Sequence, residues 1–155
     1  MTDSEKEQKY RQLIKEAAAL LDGESDLIAN MANLAALIHE AMGFWWTGFY
    51  IVRADKDGKE QLVLGPFQGP IACTRIAFGR GVCGTSWQRR ETVVVPDVEK
   101  FPGHIACSSE SRSEIVVPVF NGDKVSAVLD IDSRDLDTFD EADARHLEQI
   151  VKLLY

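Results

Sequence analysis

The sequence lacks features that would direct the protein to a membrane, to export or to nucleic acid. No stretch is apolar over the roughly 20 residues that a membrane span needs. The chain begins MTDSEKEQKYRQ, which is charged and has no apolar core, so we expect no secretory leader and a cytoplasmic protein. The net charge is −8 and no run of Lys and Arg forms a basic patch, which argues against nucleic acid or an anionic membrane as a partner.

Cysteine and histidine are also scarce, with three of each. The cysteines, Cys73, Cys83 and Cys107, are odd in number and form no Cys-x-x-Cys pair, which argues against a permanent disulfide framework. His104 lies three residues before Cys107, but two scattered ligands do not complete a zinc site. No metal is therefore expected, and a zinc-binding structural protein is kept only as an alternative.

The 155 residues, 45% of them hydrophobic, suffice for one compact domain with a substantial core. No internal repeat, low-complexity tract or linker divides them, so residues 1–155 are expected to form a single domain. Helical periodicity marks both ends of the chain. Capping boxes are predicted at 4–7 and 138–141, and a further helix is predicted between Ser25 and Gly43.

The middle of the chain is rich in β-branched and aromatic residues and predicts strands. Asn121-Gly122 is a hairpin signal, and Pro118 suggests an edge position or a bulge. Helices around a mostly antiparallel sheet predict an α+β domain, with the terminal helices on one face and loops covering a ligand pocket on the other. The predicted strands are 44–52, 61–65, 92–98, 114–120 and 125–132.

Two long segments, 66–91 and 99–113, contain all three cysteines. Loops of this length in a compact domain are more often functional than incidental. Cys107 lies among serines in FPGHIACSSESRSEI, although free cysteines usually lie in apolar surroundings. Cys83, in GRGVCGTSW, is predicted to begin a short helix whose N–H groups can lower its thiol pKa; equally, it can be an inert packing residue.

Acidic residues cluster on the last predicted strand. Alternation places Val125 on one face and Asp130 with Asp132 on the other, where buried carboxyl groups are costly without partners. A three-residue hairpin loop would bring Glu114 opposite Asp130, whereas a two- or four-residue loop would turn Glu114 to the other face. Three gathered carboxylates would favour a cationic group such as a primary ammonium.

The alternative to this acidic site is the solvated end of a strand, with Arg134 neutralising a neighbouring acid. Aromatic residues such as Trp46 and Tyr50 likewise belong more often to a core than to a ligand site. Trp45 and Trp46 are adjacent, so they are expected on opposite faces. Trp46 and Tyr50 share a face and can form the wall of an apolar pocket.

Together these residues resemble the free methionine-(R)-sulfoxide reductases, a family built on a single GAF domain. The resemblance extends over nearly the whole chain. The cysteine spacings of ten and twenty-four residues, with Glu114 and Asp130-x-Asp132, are more specific than the GAF pattern. The segments that carry the resemblance are LGPFQGPIACTRIAFGRGVCGTSW (64–87), VPDVEKFPGHIACSSESRSEIVVPVF (95–120) and LDIDS (129–133).

The resemblance implies a role for each matching residue. Cys107 is expected to be the catalytic thiol and Cys73 the resolving thiol, with Cys83 as the alternative nucleophile. The residues expected to bind substrate are the acids Glu114, Asp130 and Asp132 and the hydrophobic wall of Trp46 and Tyr50.

The implied reaction is the reduction of free L-methionine (R)-sulfoxide through a sulfenic acid and an intramolecular disulfide. The expected partners are thioredoxin as reductant and a second copy of the chain in a homodimer, and no cofactor is needed. The preference for the R epimer rests on the resemblance alone. The competing hypothesis is a GAF-type sensor, which would bind a small ligand in the same cavity without needing thiols.

Overall fold

The computed structural model describes residues 1–104 and 109–155. In chain order its helices and strands are α1 (Asp3–Leu21), α2 (Leu27–Met42), β1 (Trp46–Ala54), β2 (Glu60–Gln68), β3 (Arg75–Ile76), α3 (Gly81–Arg89), β4 (Val93–Val95), β5 (Ser113–Asn121), β6 (Lys124–Ser133) and α4 (Glu141–Val151). No helix within the described ranges is both long and apolar enough to cross a membrane.

The six strands form one sheet in the order β3-β2-β1-β6-β5-β4, and every neighbouring pair is antiparallel. The predicted α+β fold with a mostly antiparallel sheet is therefore confirmed. Strand β4 pairs only with residues 114–116, so Pro118 lies where β5 has become an edge, as its sequence suggested.

A first core lies between the sheet and α1, α2 and α4. Apolar residues at helical spacing face alternate residues of the central strands, and each fully buried aliphatic side chain stabilises the fold by about 1.5–3 kcal/mol. The fully buried members of this core include Leu13, Leu34, Ile38, Phe49, Leu129, Ile131 and Leu147.

A second core lies on the opposite face of the sheet, under α3 and the connecting loops. It contains aromatic and β-branched residues, and Cys83 is among them. Its buried residues include Trp46, Tyr50, Val82, Trp87, Val116 and Val128. The two faces thus differ as predicted, with the terminal helices on one and α3 with loops over the other.

The predicted capping boxes at 4–7 and 138–141 are wrong by two residues each. A capping residue must lie outside the helix with extended dihedral angles, as Thr2 does at φ −73° and ψ 162°. Ser4 is already helical, so it cannot cap α1. The observed pairs are Thr2 with Glu5 and Asp140 with Asp143. The stop at Gly43 is confirmed, since this residue has φ 70° and its N–H bonds back to His39.

The hairpin between β5 and β6 differs from the prediction in a way that matters for the site. Asn121 pairs with Lys124, so the loop has two residues rather than three. Gly122 supplies the positive φ, 64°, at the first turn position. The pairing then shifts, since Val119 lies opposite Ala127 whereas the next residue lies opposite Val125. Strand β6 therefore carries one extra residue, a β-bulge.

Candidate active site

The bulge determines which side chains reach the second face of the sheet. A two-residue loop alone would have turned Glu114 towards the first core, but the extra residue in β6 reverses this effect. Glu114 lies opposite Asp132, not Asp130 as predicted, and all three acids share the face under α3. Val125 lies on the same face, in the second core, contrary to its predicted side.

A cavity opens on this face between the sheet, α3 and the loops. It brings together six of the residues that the sequence analysis selected, namely Trp46, Tyr50, Cys83, Glu114, Asp130 and Asp132. Cys73 follows Ala72, which lines the cavity, and is half-buried. Cys107 lies outside the described residues.

Glu114 and Asp130 are buried, at 7% and 5% exposed, and Asp132 is half-buried. Burial raises the pKa of Glu114 well above its usual range, and the negative charges of Asp130 and Asp132 raise it further. Burial likewise raises the pKa of Asp130, and burial together with the charge of Asp130 raises that of Asp132. The cluster therefore retains protons at a higher pH than exposed carboxyl groups do, and it can both donate a proton and attract a cation.

Arg134 does not neutralise this cluster. Its guanidinium lies 4.0 Å from the Glu110 carboxylate and 5.9 Å from the centre of the Trp45 ring. The alternative of a solvated strand end with an arginine partner is therefore wrong for the buried acids.

Cys83 lies in the first turn of α3 and is 3% exposed. Burial raises its thiol pKa well above the ordinary value, and the charges of Asp130 and Glu114 raise it further. Of the two alternatives for Cys83, a thiol pKa lowered by the helix N-terminus is therefore wrong, and an inert packing residue stays a prediction. The thiol sulfur and one carboxyl oxygen each of Glu114 and Asp130 lie within 4.8 Å of one another, close enough to contact a single cationic group.

Aromatic residues form one wall of the cavity. Trp46 stacks on Phe67 with ring centres 5.2 Å apart and on Tyr50 at 6.1 Å. Gly48 permits this packing, because an added Cβ would lie 2.6 Å from the Trp46 ring. Trp45 lines the same cavity, contrary to the expected opposite faces, because β1 begins only at Trp46 and strand alternation does not extend to its neighbour.

Two buried polar atoms that line the cavity have no hydrogen-bond partner in the described parts of the chain. They are Asp130 Oδ1 and Ser111 Oγ. Such atoms are uncommon in folded proteins and mark positions where a ligand can supply the missing partner. Ser111 was not selected from the sequence, where it is one serine among several in a polar loop. Arg80, which also lines the cavity, was likewise not selected, and His104, another lining residue, was considered only as a metal ligand.

The raised pKa of Glu114 leads to a prediction for stability. A carboxyl group whose pKa rises on folding holds its proton more tightly in the native state, so its effect destabilises the protein as pH rises from about 4 towards the raised pKa. Glu114→Gln is therefore expected to raise the free energy of unfolding by about 1–2 kcal/mol at pH 8 and to give no gain at pH 4. Urea denaturation at both pH values measures the difference.

The matched control is Glu16→Gln on the exposed side of α1. This variant is expected to unfold like the parent protein at both pH values, because surface substitutions rarely exceed 0.5 kcal/mol. A Glu114→Gln gain that is equally large at pH 4 would contradict the titration of a buried acid as its cause.

Comparison with known proteins finds similarity to GAF domains and to free methionine-R-sulfoxide reductases. The family model of the GAF domain matches residues 25–154. The GAF domain-containing protein A of Dictyostelium discoideum is 56% identical over 96% of this chain and 92% of its own length. The free methionine-R-sulfoxide reductase of Saccharomyces cerevisiae is 44% identical over 96% of this chain and 85% of its own. The X-ray structure of free methionine-R-sulfoxide reductase from Neisseria meningitidis in complex with its substrate superposes with a TM-score of 0.91 at 49% identity, covering 99% of this chain and 89% of that one.

Proposed function

We propose that this chain, which belongs to the GAF domain family and within it to the free methionine-R-sulfoxide reductases, reduces free methionine-R-sulfoxide to methionine by a cysteine thiolate. The observation that carries the proposal is the cavity in which two buried acids and the half-buried Asp132 face an aromatic wall, beside the segment that contains Cys73. A free amino acid offers a partner to each part of this cavity, namely an ammonium, a carboxylate and an apolar side chain.

In the proposed complex the ammonium lies among the acids, where Asp130 Oδ1 accepts one of its hydrogen bonds. The side chain of the substrate packs on Trp46 and Tyr50, which supply apolar surface. Ser111 Oγ donates to the carboxylate, which can only accept hydrogen bonds. A methionine sulfoxide residue within a protein chain has neither a free ammonium nor a free carboxylate. It would leave Asp130 Oδ1 and Ser111 Oγ without partners.

The proposed chemistry begins with attack of the Cys107 thiolate on the sulfoxide sulfur. One of the buried acids, protonated because its pKa is raised, gives its proton to the sulfoxide oxygen. The hydroxyl then passes from the substrate sulfur to the Cys107 sulfur while the bond between the two sulfurs breaks. The substrate sulfur keeps that electron pair, so methionine leaves and Cys107 has become a sulfenic acid. The Cys73 thiolate then attacks the sulfenic sulfur, so that a disulfide forms and water is released. Thioredoxin reduces the disulfide by thiol exchange.

Cys83 is the weaker candidate for the nucleophile. A thiolate is needed for attack, and the burial and acidic neighbours that raise the pKa of Cys83 keep it protonated. The proposal therefore assigns Cys83 a packing role and leaves Cys107 as the attacking thiol. A cytoplasmic homodimer belongs to the same proposal, and light scattering showing a mass of one chain would contradict the dimer.

A coupled assay separates this function from that of a sensor. The protein is mixed with free methionine-R-sulfoxide, thioredoxin, thioredoxin reductase and NADPH. Continuous NADPH oxidation with stoichiometric methionine is the result expected for a reductase. Saturable binding of the sulfoxide with no formation of methionine would favour the sensor instead.

The assignment of Ser111 predicts how the substrate carboxylate is recognised. Ser111→Ala is expected to raise the KM for the free sulfoxide about tenfold, since a hydrogen bond to a charged group contributes about 1.5–3 kcal/mol. The KM for methionine-R-sulfoxide carboxamide should change much less, because that substrate lacks the charge. Steady-state kinetics with both substrates measures the two ratios.

Ser109→Ala, at an exposed serine of the same loop, is the matched control and should leave both KM values unchanged. Equal losses for acid and carboxamide in Ser111→Ala would contradict a contact with the carboxylate.

A further inference from the structure

The segment that joins β2 to β3, residues 69–74, carries Cys73 and buries little of its own surface. Ile71 is 91% exposed, and Pro70 and Thr74 are exposed as well. Apolar burial, which fixes most loops on a domain, therefore contributes little here. Backbone contacts therefore contribute to the position of the segment, together with the disulfide in which Cys73 takes part.

Two side-chain hydrogen bonds hold this backbone. The Trp46 Nε1–H donates to the main-chain oxygen of Pro70 at 2.8 Å. The Tyr50 hydroxyl donates to the main-chain oxygen of Cys73, also at 2.8 Å. Both distances are those of well-formed hydrogen bonds. Burial raises the pKa of Tyr50, so the phenol remains a neutral donor.

Gly69 brings the start of the segment against Trp46. Its φ is 128°, and an added Cβ would lie 2.7 Å from Trp46 Cδ1 and 3.0 Å from the main-chain oxygen of Trp45. Only glycine fits this contact and these dihedral angles. The Trp46 indole is itself fixed by Gly48 and Phe67, so the segment rests on a rigid support.

We propose that Trp46 and Tyr50 are positioning residues for Cys73, holding the backbone of its segment beside the cavity through these two hydrogen bonds. This inference rests on the proposed function, in which Cys73 resolves the sulfenic acid. Holding the segment in place reduces the conformational freedom that Cys73 must lose before it can react. Trp46 and Tyr50 then form the wall of the cavity and also position Cys73 for disulfide formation.

The test uses the thiol–disulfide equilibrium of the substrate-free protein, which needs no turnover. Parent and variants are equilibrated in mixtures of reduced and oxidised dithiothreitol, and the Cys73 disulfide is quantified by mass spectrometry. Tyr50→Phe and Trp46→Phe each remove one donor and keep an aromatic ring. Each is expected to shift the equilibrium about fivefold towards the dithiol, as the loss of one hydrogen bond implies.

Tyr155→Phe is the matched control, since it removes a phenol that bonds Ser126 away from the cavity. It should shift the equilibrium by less than twofold. Hydrogen exchange is the second measurement, and the amides of Gly69 and of residues 71–74 should exchange faster in the two test variants than in the control. Variants whose equilibrium and exchange match the control would overturn the inference.

The outcome is distinguishable from a failure of the proposed function. Methionine released in a single turnover reports on the reduction of sulfoxide whether or not a disulfide forms. A parent protein that releases methionine but forms no Cys73 disulfide would overturn the positioning role and the recycling step, and would leave the reductase activity standing.

Discussion

Cys107→Ser is expected to lower methionine formation by at least about a thousandfold. A serine hydroxyl is not ionised at neutral pH and is a poor nucleophile without an activating base, so the attack on the sulfoxide sulfur has no substitute group. Methionine released from the reduced protein, measured in a quench experiment, gives the rate directly. Cys73→Ser should still release about one methionine per site but should not turn over with thioredoxin.

Cys83→Ser is the matched control for this prediction, because it removes a thiol from the same protein at a buried position. It is expected to retain single-turnover release within about tenfold. If Cys83→Ser is inactive while Cys107→Ser turns over, the proposed assignment of the two thiols is reversed.

The second large effect concerns the attachment of α1 to α4. Asp143 is 1% exposed and accepts hydrogen bonds from the Tyr10 hydroxyl and from the Lys6 ammonium, the latter at 2.8 Å. It also accepts from the Asp140 N–H and so completes the cap of α4. Asp143→Ala leaves the buried Tyr10 phenol without its acceptor and removes the shorter of the two ion pairs of Lys6. Lys6 keeps Asp140 at 3.2 Å, so the expected loss is about 3 kcal/mol.

Urea denaturation measures this loss, and a fall in Tm of roughly 10 °C should accompany it. Glu7→Ala provides the control, since Glu7 contacts Arg145 and His146 at the more exposed rim of the same helix pair. Its loss should stay below about 1 kcal/mol. If both substitutions lower the free energy of unfolding equally, burial does not strengthen the interactions of Asp143.

Much of the fold could be predicted because hydrophobic periodicity reports directly on burial. The apolar stripe of α2 and the alternation along β6 depend on local geometry alone, and both were read correctly over most of their length. The caps were misplaced because Ser4 and Thr138 are as good capping residues as Thr2 and Asp140. Only the position at which the helical backbone begins distinguishes the two candidates for each cap.

Only part of the site could be predicted from the sequence. The acids could be predicted because buried carboxyl groups on one strand face are conspicuous. Their convergence depends on a bulge in β6 whose position nothing in the sequence of that strand marks, although Pro118 on the partner strand suggested an edge or a bulge. Ser111 and the pKa of Cys83 depend on contacts between segments distant in the chain. A helix N-terminus predicts a lowered thiol pKa, but burial against Asp130 and Glu114 outweighs it.

The most direct test is a single turnover of the reduced protein with an equal mixture of the R and S sulfoxide epimers of free L-methionine and no thioredoxin, followed by chromatography that separates the two epimers. The account predicts about one methionine per chain and loss of the R epimer only. Release of no methionine, or equal consumption of both epimers, would contradict it.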